Sequence, residues 1–213
     1  MNTSVQKYIR DMKLRTDAKR EAILEVASAA FMELGYERTS MAEISARLGG
    51  SKATLYGYFP SKEALFLATT RAFGSKYLEA AFEDMATSPA SDLELVLQRF
   101  AERMLGLICS PNALAVHRMV MAESGRTDVG RLFYEAGPKR GVTGMAEFLK
   151  AAMARGSLRM ADPVVAAQQF LALIGAEVQH LWFHNTVPKL TRKQATLLAE
   201  RAVAVFIGGY GVR

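Results

Sequence analysis

The chain is short of the features that mark several common protein classes. A lone cysteine, Cys109, cannot form an intrachain disulfide and, with no second thiolate, suggests no metal framework. No apolar run approaches the roughly 20 residues of a membrane-spanning helix. Residues 1–20 alternate polar and charged side chains and lack the apolar stretch of a signal peptide. There are only six prolines, and no sustained alternation of period two that would argue for strands. Also missing are G-x-S-x-G, the P-loop spacing, G-x-G-x-x-G and H-E-x-x-H. Gly137-Pro138-Lys139-Arg140-Gly141 looks faintly phosphate-like, but no strand precedes it, and it reads as a helix break. Together these absences predict a cytoplasmic all-α protein that is not an enzyme, needs no cofactor and meets no membrane. Intrinsic disorder is excluded by an apolar fraction of 50%.

What is present begins with charge. The formal net charge of +6 is a weak pointer to a polyanion by itself. Its placement says more. Residues 1–20 carry Lys7, Arg10, Lys13, Arg15, Lys19 and Arg20 against only Asp11 and Asp17. Residues 186–213 carry Lys189, Arg192, Lys193, Arg201 and Arg213 against only Glu200. Everything between is close to neutral or slightly acidic.

Apolar residues from Asp17 onward (Ile23, Ala27, Ala30, Phe31, Leu34) recur at spacings of three and four, and Gly35 supplies a stop. Ser40-Met41-Ala42-Glu43 reads as a capping box opening a short helix that buries Met41, Ile44 and Leu48. Gly49-Gly50 breaks that helix, and Ser51 caps a third through Phe59. A fourth is predicted from Lys62 to about Met85. Ser88-Pro89-Ala90-Ser91 is the linker candidate. Beyond it, helices are expected over Asp92–Cys109, Asn112–Glu123, Val129–Arg155 (kinked or split at Pro138), Pro163–His184 and Arg192–Gly208.

Two short helices separated by Gly49-Gly50-Ser51 have the dimensions of a helix-turn-helix. With Leu55 facing inward, Phe59 lies about 40° away, Ala53 and Gly57 point outward, and Thr54 and Tyr56 occupy the flanks. Lys52 sits near the helix start and Tyr58 near its end. Such a helix exposes little bulk, so its backbone can approach another surface, and its flanks offer hydrogen-bonding groups to phosphate oxygens. Lys62 adds a cation at the next helix start.

These residues carry a resemblance. Ala22-Ile23-Leu24, Ala29-Ala30-Phe31, Gly35-Tyr36-Glu37-Arg38-Thr39-Ser40-Met41 and Glu43-Ile44-Ser45 lead into Ser51-Lys52-Ala53-Thr54-Leu55-Tyr56-Gly57-Tyr58-Phe59-Pro60-Ser61-Lys62-Glu63-Ala64-Leu65. Residues 16–68 thus resemble the N-terminal domain of the tetracycline-repressor (TetR) family of transcriptional regulators, and the stretch from Arg131-Leu132-Phe133 to Arg140 resembles AefR-like members. The resemblance implies a basic arm (1–15), a three-helix DNA-binding domain (16–62) and a ligand-binding and dimerisation domain (63–213), joined by a connecting helix (63–85). It implies operator contacts from Ser51, Lys52, Thr54, Tyr56 and Tyr58, and phosphate clamps from Thr39 or Ser40 and from Lys62. Of the arm residues, Arg15 is the one expected to reach DNA. Gly50 departs from the family's usual small apolar turn residue, at the loss of a packing contact.

In the C-terminal half, Val164, Phe170, Leu171, Ile174, Val178, Leu181 and Trp182 cover more than one helix face, as do Leu197, Leu198, Val203, Val205 and Phe206. Such helices need two partners, and the resemblance implies a homodimer through the last two helices. It also implies a ligand cavity in this bundle; the side chains here suggest a small, mostly apolar or aromatic effector, with Met104, His117, Met121, Glu177, His180 and Trp182 as candidate contacts. Methionines 104, 119, 121, 145, 153 and 160 crowd this region, either as adaptable pocket lining or as core filler. Glu177, His180 and His184 would share a face if helical throughout. That leaves three readings open: a metal site serving a hydrolase, a pocket or interface cluster, or plain structure.

Overall fold

The computed structural model describes the backbone of residues 3–87, 92–184, 186 and 188–212, with the side chains of 3–15, 73, 76, 86 and 87 excepted. The Ser88–Ser91 linker candidate and the Arg15 side chain therefore lie outside the described residues. Among the described residues there are ten α-helices and one 3-10 helix. The chain divides into two compact units, Met1–Ala72 and Phe73–Arg213.

The first unit contains α1 (Thr3–Arg38), α2 (Met41–Arg47), α3 (Lys52–Tyr58) and the start of α4 (Lys62–Thr87). α1 begins well before Asp17, because neither glycine nor proline interrupts residues 3–34. It breaks at Gly35, whose φ of 79° is a conformation that glycine adopts cheaply. Ile23, Ala27, Ala30 and Phe31 line its buried face, with Ile44, Leu55, Phe59, Leu65 and Phe66 completing the core. Phe31, Tyr36 and Phe66 form a triangle of rings with centroids 5.2–5.9 Å apart. Burying three rings in so small a unit supplies much of its apolar stabilisation.

The second unit holds the rest of α4 together with α5 (Leu93–Ile108), α6 (Pro111–Glu123), α7 (Val129–Ala136), α8 (Pro138–Ala154), α9 (Pro163–Ala176) and α10 (Arg192–Tyr210). Local chemistry explains the starts. Asp92, Ser110 and Asp162 each accept a backbone N–H of the first turn, and Pro111 and Pro163 occupy positions where the missing N–H is no loss. Thr191 and Gln194 form a reciprocal capping box on α10. The Pro138 break falls where expected, splitting 129–155 into α7 and α8 at Gly137. The core runs through Phe100, Leu105, Met145, Leu149, Phe170 and Phe206.

One expected helix is shorter than its apolar pattern suggested. Pro163–His184 ends at Ala176 and resumes as a 3-10 turn, Gln179–Phe183. Arg118 of α6 holds that turn, donating to the carbonyls of Leu181 (3.0 Å), Trp182 (2.8 Å) and His184. Those carbonyls are thereby satisfied outside a continuous α-helix. Among the described residues no single helix is long and apolar enough to cross a membrane.

Candidate nucleic-acid interface

α2, its turn and α3 are held by interactions with readable causes. Ser40 caps α2 by accepting from the Glu43 N–H at 3.1 Å. The Glu43 carboxylate does not close the capping box; it accepts from Arg47 Nε at 2.8 Å, and Arg47 also reaches Glu33 at 2.7 Å. This guanidinium holds the Glu33 carboxyl below its ordinary range and is itself made more basic by the two carboxylates. Gly49 takes a φ of 64°, and the buried Ser45 hydroxyl donates to the Gly50 carbonyl at 2.9 Å. Ser45 thus ties down the turn where Gly50 has no side chain to pack.

α3 presents the face its sequence predicts. Leu55 and Phe59 are buried, while Ser51, Lys52, Ala53, Thr54, Tyr56 and Gly57 are exposed and Tyr58 is half-buried. Tyr56 is 50% exposed, so its ring is available rather than structural. Ser51 caps the helix through the Thr54 N–H at 3.2 Å, and the Ser51 and Thr54 hydroxyls are 2.9 Å apart. With the Thr54 hydroxyl engaged, its methyl is the group left for a partner. Arg20, counted in the sequence only as charge, sits 5.3 Å from the centroid of Phe59 at the end of α3. Cation–aromatic geometry of this kind has no sequence signature, since residues 20 and 59 are far apart.

Two residues of the expected phosphate clamp have other work. Thr39 is 1% exposed, and its hydroxyl donates to the carbonyls of Ala30 (3.2 Å) and Gly35 (2.7 Å), closing the end of α1. A hydroxyl so buried and bonded is corrected from phosphate contact to structural cap. Exposed Ser40 keeps the position beside it. The Lys62 ammonium lies 4.2 Å from the Tyr36 ring centroid and donates to the carbonyls of Tyr36 (3.0 Å) and Glu37 (3.4 Å). It caps the C-terminal end of α1 rather than standing free.

Comparison with known proteins matches both units. Residues 95–212, more than half of the chain, match the family described as AefR-like transcriptional repressor, C-terminal domain, and residues 23–69 match bacterial regulatory proteins of the tetR family. The chain belongs to the TetR family. A stretch of 54 residues is 44% identical to the HTH-type transcriptional regulator RutR of Escherichia coli K12. That match spans 25% of this chain and 26%, about a quarter, of RutR. Among solved structures, a TetR-family regulator from Mesorhizobium loti superposes with a TM-score of 0.80 at 27% identity, covering 93% of this chain and 99% of that one. The flavonoid-responsive regulator FrrA superposes with a TM-score of 0.75 at 34% identity, covering 92% and 99%.

The candidate effector residues of this TetR-family chain scatter. His117 and Trp182 do meet, their ring centroids 4.2 Å apart and the planes tilted by 32°, and burial together with neighbouring Arg118 lowers the His117 pKa. Met104 packs half-buried against the bundle core. Met121, by contrast, is 62% exposed, because α6 turns that side outward. Met145 and Met153 are core filler, and Met160 is exposed. Glu177 is exposed and forms a two-pronged pair with Arg201 of α10, at 2.9 and 2.5 Å. His180 and His184 are exposed neighbours, 5.5 Å between centroids. Glu177 ends α9 before the 3-10 turn begins, so the three residues do not continue one α-helical face. Among the described residues no group of three His, Cys, Asp or Glu could hold a metal. The metal-hydrolase reading is set aside, since its carboxylate is committed to Arg201.

Proposed function

We propose that this chain is a ligand-responsive DNA-binding transcriptional regulator, a repressor released from a palindromic operator by a small effector. The observation that carries the reading is the α3 face: Lys52, Thr54 and Tyr56 exposed around Ala53 and Gly57, with Leu55 and Phe59 anchoring the helix inward. A helix of that profile enters a major groove with its backbone close to the bases and its flanks on the phosphates. Ser40, Ser51, Tyr58 and Arg15 complete the proposed contacts. Arg20 joins them as a cation beside α3.

The regulator acts in the cytoplasm as a homodimer through α9 and α10. Supporting this, Val164, Val165, Leu197 and Val205 stand exposed on those helices, an apolar surface that a monomer leaves in water. Twofold symmetry sets the two reading helices about 34–36 Å apart, or a multiple of it. The effector is a mostly apolar or aromatic molecule met by His117, Trp182 and Met104, a reading supported by the relative named for its flavonoid response. It releases DNA by binding the DNA-free arrangement better than the bound one.

The test is to sequence genomic fragments captured by the purified protein. Enrichment of one palindrome, lost when Lys52 and Tyr56 are both replaced by alanine, is the expected result. Capture with no enriched sequence overturns the reading.

A further inference from the structure

Glu123 is an anomaly in this fold. It is the last residue of α6, where the helix dipole disfavours a carboxylate, yet it is only 3% exposed. One oxygen, Oε1, accepts from Arg126 at 2.9 Å. The other, Oε2, is buried, and among the described residues nothing donates to it. The pair is lopsided: the Glu123 side chain is 4% exposed and that of Arg126 61%. The comparable pair one turn on, Asp128 with Arg131, has both partners in water. An ion pair that serves only the surface looks like the second of these, not the first.

The backbone around Glu123 is firmly held. Its carbonyl accepts from the Arg126 N–H (2.9 Å), the Thr127 N–H (2.9 Å) and the Thr127 hydroxyl (3.2 Å), locking the corner between α6 and α7. Ser124 ties back to the Val120 carbonyl at 2.6 Å, and a Cβ at Gly130 would lie 2.2 Å from the Ser124 hydroxyl. The corner is thus held at several points, and the carboxylate it carries is buried, as is Val120 three residues earlier on α6. A buried carboxylate oxygen without a donor is costly, and a ligand donor repays that cost on binding.

We infer that Glu123 Oε2 is the polar recognition point for the effector, and that the effector presents an N–H or O–H donor, cationic or neutral, on an apolar body rather than an anionic head. This rests on the proposed ligand-responsive reading and narrows its ligand class. A carboxylate or phosphate ligand would meet Oε2 with like charge. An amine, amide or phenol supplies the missing bond.

The test uses the full-length protein without DNA and three probes of one shape: 2-phenylethylamine, 2-phenylethanol and phenylacetate, titrated calorimetrically at neutral pH. Amine and alcohol are expected to bind about tenfold or more tighter than phenylacetate, the worth of one hydrogen bond to a charged acceptor. Glu123→Gln is expected to weaken the amine by about the same factor. Arg126→Ala, which leaves the corner's backbone bonds in place, should tighten the amine several-fold by freeing the carboxylate's charge. Should Glu123→Gln fail to fold, the Arg126→Ala arm decides alone. Phenylacetate binding as tightly as the amine, no binding of any probe, or amine affinity unmoved in both variants overturns the inference. DNA capture is measured separately, so failure of the regulator reading shows there and not in these titrations.

Discussion

The tip of the Phe82 ring on α4 abuts Gly144 on α8: a Cβ at 144 would sit 2.6 Å from Cζ and 2.9 Å from a neighbouring ring carbon. Phe82 has little room to retreat, because its other side meets Phe100 with centroids 5.4 Å apart. At Gly141, one turn earlier on the same seam, a Cβ would meet Leu78 at an ordinary 3.7 Å. It is the missing side chain at Gly144 that lets Phe82 approach α8 more closely than any other residue would. Gly144→Ala is therefore expected to destabilise the second unit by ~1–3 kcal/mol, the usual cost of overpacking. Denaturant unfolding measures it, and Phe82→Leu in the same chain should recover part of the loss, since the two sites are coupled.

Lys62 yields a prediction that separates two roles. Its ammonium caps the Tyr36 and Glu37 carbonyls and lies over the Tyr36 ring, so Lys62→Met should lower stability by ~1 kcal/mol with no DNA present. Thermal unfolding of the DNA-free protein reads this directly. Unchanged stability with lost DNA affinity would return Lys62 to the phosphate clamp.

His117 gives the fold a pH dependence whose sign is fixed. Burial first, then the Arg118 charge, lowers its pKa in the folded chain below the ordinary value of about 6.5. The unfolded chain therefore binds more protons near and below that value, and stability from this group rises with pH across the window. Melting temperature should fall from pH 7.5 to 5.5. His117→Phe, which keeps a ring on Trp182, should fall less steeply over the same series.

Cys109 supplies a simple probe of the core. Burial pushes its thiol up to about 11, so almost no thiolate exists at neutral pH. Iodoacetamide at pH 7.5 should leave the native protein unmodified and label it once per chain in denaturant. Rapid labelling of the folded protein would contradict the packing around the end of α5.

The parts of this fold legible in the sequence were those whose cause is local. The Ser51 cap, the inward Leu55 and Phe59, the Pro138 break and the Gly35 stop all depend on neighbours within a turn or two, and periodicity reports them. The misplaced residues had distant partners. Thr39 bonds nine residues back and Lys62 twenty-six, while Glu177 finds Arg201 twenty-four residues ahead. A family motif fixes which residue stands at 39 or 62, but not whether its polar group faces DNA or a carbonyl. Glu123 was missed for another reason. A glutamate at a helix end is ordinary in sequence, and only its burial makes it unusual.

The last prediction concerns how α3 divides its labour. Lys52 is exposed at the start of the helix and is the proposed phosphate anchor, so Lys52→Ala should weaken all DNA sequences alike and reduce the salt slope of binding by about 1. Tyr56→Phe removes a neutral donor from the flank and should weaken binding broadly without altering that slope. Thr54 differs because its hydroxyl faces Ser51 and its methyl is left to meet a thymine methyl. Thr54→Ser should relax the preference at one base position while non-specific affinity stays level. Gel shifts over a salt series, on the captured operator and on single-base variants, measure all three. A changed base preference for Lys52→Ala, or an unchanged one for Thr54→Ser, would reverse the assignment of reader and anchor.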